Sequence, residues 1–339
     1  MTNKKVTDTL KRIANPRLLL PGGRADMQAF DALSHRLGNL LRNDEVALEL
    51  EELPSQTSLN ERMGLYQLCA THYRGDGEVW DVGTAAGGST YCMARGLKDN
   101  VSVAHRAIKG FDLFGGYSLE AFAKHPVVKE YVKKSRGAAS DLDLFRHLNR
   151  DFSEFVDPVQ LDLSVGFAPY SNTDSVEVVH LDSAKSLDLW QATFPVIAES
   201  LLPEGSWLIL QDFERCRLPW HWMVTADLLR NGIAEIHSVY DGGTVHLHLR
   251  KKIPADIVDQ NVAFDYTEDQ IVENVALVCD WFVARPHFLA HFNGEFTDVV
   301  WGVLAYALKF RGDETLSKHC ARNLTKDFLR KNKIYAMEL

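Results

Sequence analysis

From Gly75 onward, short apolar runs are each followed by a polar or glycine-rich turn and then by a helical pattern. This alternation constrains the fold more than any other feature of the chain. Parallel strands need a crossover helix between them, so the pattern predicts a doubly wound, mostly parallel α/β sheet. The runs place strands at 78–82, 107–113, 158–161, 176–181 and 207–210, with a further pair at 234–240 and 244–250. Asp241-Gly242-Gly243 separates that last pair, and such a tight-turn signal makes it a hairpin, so the seven-stranded sheet ends with one antiparallel strand.

Helical patterns flank the sheet. Between 27 and 42, Met27, Phe30, Leu33, Leu37, Leu40 and Leu41 recur three or four apart and form one apolar side. A second helix starts at Ser58, where Ser-Leu-Asn-Glu matches a capping box, and Met63, Tyr66, Cys69, Ala70 and Tyr73 form its apolar face. Beyond Lys252 further helices are expected at 268–284, 297–310 and 313–331. These patterns divide the chain into an N-terminal helical extension (1–57), a sheet domain (58–252) and a C-terminal helical region (253–339). The helical tail could cover the ligand edge of the sheet or form a contact in a homo-oligomer.

Composition narrows the function classes. With 46% hydrophobic and 24% charged residues, the chain is neither disordered nor collagen-like. Its formal charge of −9 offers no global positive field for a phosphate backbone, so no nucleic-acid partner is expected. Cys69, Cys92, Cys216, Cys279 and Cys320 contain no CxxC pair, which fits reduced intracellular thiols rather than a zinc knuckle or a disulfide framework. The only apolar run near the N-terminus, Leu18 to Leu20, is too short for a signal-peptide core or a membrane span, so a cytoplasmic protein with no membrane partner is expected.

Chemistry concentrates after the first strand, in Asp81-Val82-Gly83-Thr84-Ala85-Ala86-Gly87-Gly88-Ser89-Thr90. In an open α/β sheet the ligand sits beyond the carboxyl ends of the strands, where small residues allow close backbone approach and helix N-terminal amides face an anion. Gly83 and Gly87 suit that approach. Asp112 ends the next strand, 29 residues past Gly83, where an acid can accept both hydroxyls of a ribose. Together they indicate an adenosine-containing ligand.

The segment DVGTAAGG, the strand-end acid in Phe111-Asp112-Leu113-Phe114 and the terminal hairpin jointly resemble class I S-adenosylmethionine-dependent methyltransferases over about residues 58–252. Within that class the likeness is to the macrocin and catechol O-methyltransferase group. The resemblance implies a seven-stranded Rossmann-like sheet whose last strand is antiparallel. It also implies that Asp81, Gly83, Thr84, Ala85, Gly87 and Ser89 hold the methionine end of S-adenosylmethionine, Asp112 its ribose and Asp162 its adenine. A nicotinamide oxidoreductase shares the strand, loop and ribose acid but usually keeps GxGxxG and a fully parallel sheet; a non-catalytic module on the same fold is the other alternative.

Asp182 and Asp212 each follow an apolar strand and should project at the edge that carries the loop. The resemblance implies that this pair helps bind a divalent cation such as Mg2+, and that Lys185, three residues past Asp182, is catalytic. Two departures weigh against a metal: Phe213 stands where the catechol type has an amide ligand, and Ala184 where the macrocin type has a second acid. Two carboxylates are few for a hard ion. Methyl transfer from a sulfonium is an in-line displacement, so the enzyme aligns an acceptor and removes its proton. A lysine is a poor base at neutral pH unless burial or a cation lowers its pKa. Without a metal, His221 becomes the better base. The spacings His246/His248 and His287/His291 are compatible with a metal but lack a third ligand nearby, so these are read as structural. The long stretch from Gly115 to Asp157, with Lys124, Lys129, Lys133, Lys134 and Arg136, reads as an insertion that closes over cofactor and small-molecule acceptor.

Overall fold

The computed structural model describes residues 44–135, 138–171, 174–241, 243–292 and 295–332. The 27–42 pattern, Gly242 of the hairpin turn and Arg136 lie outside these residues. Strands β1 (Glu78–Val82), β2 (Ile108–Asp112), β3 (Val156–Gln160), β4 (Val176–Leu181), β5 (Trp207–Gln211), β6 (Ala234–Tyr240) and β7 (Thr244–Leu249) form one sheet in the order β3-β2-β1-β4-β5-β7-β6. β1 lies centrally and pairs in parallel with β2 and β4; β3 and β5 extend the parallel set on either side. β7 runs the other way: Leu249 at its end exchanges hydrogen bonds with Gly205 and Ser206 before β5, and Gly243 before it accepts from Phe213 after β5. This is the mostly parallel α/β sheet with a reversed last strand that the sequence indicates.

Local capping chemistry and buried apolar side chains set the helices that cover the sheet. At α2 (Leu59–Thr71) the capping box is complete: the Glu61 amide donates to Ser58 Oγ at 3.1 Å, and the Ser58 amide donates to Glu61 Oε2 at 2.7 Å. α1 (Asp44–Glu51) precedes it, and α3 (Gly88–Asp99) follows β1. Met63, Leu65, Leu68, Cys69, Cys92, Met93 and Leu97 from α2 and α3 bury one sheet face, packing with Val79, Ile108, Val178 and Ile209. Each such fully buried side chain is worth roughly 1.5–3 kcal/mol. Trp80, Phe111 and Phe167 fill the opposite face in edge-on contacts, with ring centroids 5.2–5.7 Å apart.

The stretch between β2 and β3 contains α4 (Tyr117–Ala121), α5 (Pro126–Lys134) and α6 (Asp141–Leu148). The buried Asp141 carboxylate fastens it by accepting from the amides of Gly116, Ser118 and Leu119 at 2.8–3.0 Å. α7 (Leu163–Gly166) and α8 (Leu187–Ser200) complete the sheet region. After β5 come α9 (Pro219–Arg230), then α10 (Ala255–Ala263), α11 (Glu268–Val283), α12 (Pro286–Leu289), α13 (Phe296–Arg311), α14 (Glu314–Ala321) and α15 (Lys326–Lys331). The single helix expected at 313–331 is two. Asp298 accepts from the Thr325 amide and hydroxyl at 2.7 and 2.9 Å, while Thr325 Oγ1 caps α15, and this breaks the run at Asn323-Leu324-Thr325.

The chain divides into two compact units. One comprises 42–211 with 248–252; the other includes 212–247 and 253 onward. In the first, α1 joins the sheet helices through Tyr91 and Arg95 of α3, which donate to Glu49 at 2.6 and 3.1 Å. In the second, α9 joins the C-terminal helices because Asp227 is buried among Asn261, Tyr266 and Asn274, which donate to it at 2.6–3.2 Å. All five cysteines are buried free thiols. No described helix is long and apolar enough to cross a membrane.

Candidate cofactor site

The turn after β1 is held by its own backbone and by β2. Gly83 and Thr84 donate to Phe111 O at 2.9 and 3.3 Å, and Gly87 donates to Thr84 O at 2.8 Å. Gly83 (φ +94°), Ala85 (φ +49°) and Gly87 (φ +89°) occupy the left-handed region, which costs a residue with a Cβ about 1–2 kcal/mol. At both glycines the chain packs too closely to admit a side chain. A Cβ on Gly83 would lie 2.7 Å from Ser183 N, and one on Gly87 2.5 Å from Asn149 Nδ2 and 2.6 Å from the Phe145 ring.

The side chains of Asp81, Thr84 and Ser89 are engaged within the fold. Asp81 is wholly buried; Ser89 Oγ donates to it at 2.7 Å, Thr90 Oγ1 also donates, and His180 Nδ1 lies 2.8 Å from its other oxygen. Thr84 Oγ1 is 3.0 Å from Thr90 Oγ1. The reason is strand alternation: Asp81 shares the face of Val79, which is packed under α2 and α3. These side chains therefore fasten the loop to the first turn of α3.

Asp112 is placed as the sequence predicts, at the end of β2 beside the loop. Its Oδ2 accepts from the Ala85 amide at 2.8 Å and its Oδ1 from the Phe114 amide at 3.0 Å. Burial pushes its carboxyl above the ordinary range, although both amides pull it down. Each carboxylate oxygen has two acceptor directions, so each keeps one for a further donor, and the half-buried site fits a vicinal diol. Asp162 follows β3. It is exposed and caps α7, accepting from the Ser164 amide at 2.9 Å and hydroxyl at 2.6 Å, bonds that lower its pKa.

At the end of β4, Asp182 donates its amide to Val82 O at 2.9 Å, which brings this strand end beside the loop. Its carboxylate is ion-paired with Lys185 Nζ. Asp212 and His221 lie in the other compact unit. Asp212 (φ +60°) pairs with Arg215 Nε at 3.1 Å. His221 is only 1% exposed within α9, against Trp220, so it lacks the access that the expected base requires. Each acid proposed for a cation thus has a basic residue three positions on as its partner. Among the described residues no three His, Cys, Asp or Glu side chains gather as a metal site. This donor set does not suit Mg2+.

Several residues that shape the site carry no motif. His180 and Gln211 sit in apolar strands, and Asn149 and Phe145 in the inserted segment. The insertion is seated on the loop: Asn149 Nδ2 donates to Gly87 O at 3.3 Å, and Val128 and Leu144 pack with Ala86. Strand alternation could have flagged His180, since it shares the α2–α3 face with Val178.

No family model matches the chain, and no curated protein matches it. Solved structures with similar architecture exist. The O-methyltransferase from Bacillus cereus, in complex with SAH, is 12% identical, with 65% of this chain and 97% of that chain covered and a TM-score of 0.41. The O-methyltransferase NovP is 17% identical, with 73% and 98% covered and a TM-score of 0.42. These likenesses concern architecture and bring no residue role to this chain.

Proposed function

We propose that this chain is a class I S-adenosylmethionine-dependent methyltransferase of the macrocin and catechol O-methyltransferase-like group. Its acceptor would be a hydroxyl of a small molecule such as a sugar or secondary metabolite. The observation that carries the reading is the 2.8 Å bond from the Ala85 amide to Asp112, which sets a diol-accepting carboxylate against the glycine loop at the carboxyl edge of the sheet. The strand order with its reversed last strand supports a methyltransferase over a nicotinamide oxidoreductase.

Bound S-adenosylmethionine would supply an electrophilic methyl group on a sulfonium. Asp112 would accept the ribose hydroxyls, and the first turn of α3 offers amides with no intrahelical acceptor for the methionine carboxylate. Asp182, half-buried at the end of β4, would hold the acceptor hydroxyl and take its proton, while Lys185 steadies the carboxylate. Given the donor set around Asp182 and Asp212, this reading uses no metal.

Calorimetry with S-adenosylhomocysteine is the test. The wild-type chain should bind with one site, and Asp112→Ala should weaken binding by about 10- to 100-fold, the size of a lost hydrogen bond to a charged group. NADH should give no saturable titration. No binding of S-adenosylhomocysteine, or equal binding by Asp112→Ala, would overturn the assignment.

A further inference from the structure

The buried network beneath the glycine loop dictates the protonation of His180. Glu61 and Asp81 are carboxylates, which accept hydrogen bonds and donate none when ionised. Gln211 donates its Nε2 to Glu61 Oε1 at 2.9 Å, which leaves its carbonyl oxygen 3.5 Å from His180 Nε2. A carbonyl oxygen only accepts, so a hydrogen on Nε2 would complete this long contact. On the other side of the ring, Nδ1 lies 2.8 Å from Asp81 Oδ1, while Asp81 Oδ2 already accepts from Ser89 and Thr90. Nδ1 must therefore carry a hydrogen too. With both ring nitrogens as donors the side chain would be an imidazolium, and it is wholly buried.

We propose that His180 is a constitutively protonated positioning residue whose charge ties the cofactor loop to the first turn of α2. The chain of contacts runs from Ser89 and Thr90 of α3 through Asp81, His180, Gln211 and Glu61 to the Ser58 cap. It spans residues far apart in sequence yet closes around one buried cation, and both strand-end acids nearest the loop, Asp81 and Asp182, act on it electrostatically. Burial by itself would lower the imidazole pKa, but the bond to Asp81 and the charges of Asp81 and Asp182, with the Gln211 contact, outweigh it and raise the net value. Other titratable groups of this layer do not compete for the role. Burial pushes the Cys69 and Cys92 thiols far up, so they stay neutral, and the Arg62 guanidinium is engaged by Leu50 O and Leu53 O. On β4 itself, Glu177 is held by the amides of Arg74 and Asp76.

The sign follows from linkage. A histidine raised in the fold contributes its tie fully below the unfolded pKa of about 6.5, and the tie is lost as pH rises through the raised value. The ligand part of this inference rests on the cofactor assignment above; the charge state does not. Imidazole 1H–15N spectra of the ligand-free full chain test it, with His180 assigned from its absence in His180→Gln or, if that variant fails to fold, from its shift in Asp81→Asn. Both His180 nitrogens should be protonated at pH 7.5, and Asp81→Asn should lower the midpoint by more than one pH unit. Amides of residues 83–90 and 58–61 should lose exchange protection together as pH passes the wild-type midpoint. A single neutral tautomer at pH 7.5, or loop protection that ignores that midpoint, would overturn the proposal. In a separate arm, S-adenosylhomocysteine affinity should fall over the same pH range. Failure of that compound to bind at every pH would remove the cofactor assignment while the His180 spectra still decide the charge state.

Discussion

Gly87→Ala is the sharpest perturbation of the loop. Gly87 has φ +89°, so any side chain meets backbone strain of about 1–2 kcal/mol. The added methyl would also lie 2.5 Å from Asn149 Nδ2 and 2.6–2.9 Å from the Phe145 ring. Phe145 is fully buried and cannot swing away, so overpacking adds about 1–3 kcal/mol. The two terms give about 2–5 kcal/mol, a large part of a typical stability of roughly 5–15 kcal/mol. For a domain this size the midpoint of thermal unfolding should fall by about 4–20 °C. Denaturation followed by circular dichroism measures the loss, and the double variant Gly87→Ala/Asn149→Ala separates its parts. Removing the Asn149 amide should return some of the steric cost and none of the strain. A Gly87→Ala protein within about 0.5 kcal/mol of wild type, the range of an ordinary surface substitution, would refute the reasoning.

The remaining predictions concern the ligand side. Because burial raises the Asp112 carboxyl and binding needs its ionised form, S-adenosylhomocysteine affinity should decline on acidification at a higher pH than an ordinary aspartate titrates; Asp112→Asn should bind weakly with that dependence flattened, and an unchanged acid limb would count against the ribose role. Affinity and turnover should be unaffected by EDTA, since Asp182 and Asp212 are paired with Lys185 and Arg215; a loss restored by magnesium would show the donor set to be misread. Limited trypsin digestion should cleave at the exposed Lys124, Lys129 and Lys133 similarly with and without S-adenosylhomocysteine, because the segment is already packed on Ala86 and Gly87; ligand-dependent protection there would favour a closing lid.

Strands such as β4 and β5 were legible because each is a buried apolar run bounded by turn residues, and Ser58 announced α2 through local capping chemistry; β3, mostly not buried, starts two residues before the expected 158. Asp112 was legible for a similar reason: its partners Ala85 and Phe114 follow from where a strand ends. What the sequence hid depends on partners distant along the chain. α1 has only Val46, Ala47 and Leu50 to bury and gains its polar anchors from Tyr91 and Arg95. His180 looks like a lone histidine in an apolar strand until Asp81 and Gln211 are seen on the neighbouring strands. The split at 322–325 depends on Asp298, a helix earlier in the chain. The capping of α7 by Asp162 was not read from the sequence, because an acid after a strand can serve either a ligand or a helix cap.

The contrast between Asp81 and Asp112 explains which strand-end acid can meet a ligand. Both precede loops at the carboxyl edge of adjacent parallel strands, yet one is wholly buried and the other half-buried. Asp81 has one more strand residue, Val82, beyond it, and the period of two directs it to the face occupied by α2 and α3. There its charge is matched by buried donors and by His180. Asp112 is the last residue of β2, so its side chain leaves the sheet where the chain turns, and its two oxygens bind the amides of two different loops. The inner carboxylate thereby fixes the base of the glycine loop and the outer one fixes its tip. A ligand that bridged Asp112 and the amides of α3, as proposed above, would meet a surface already set by both.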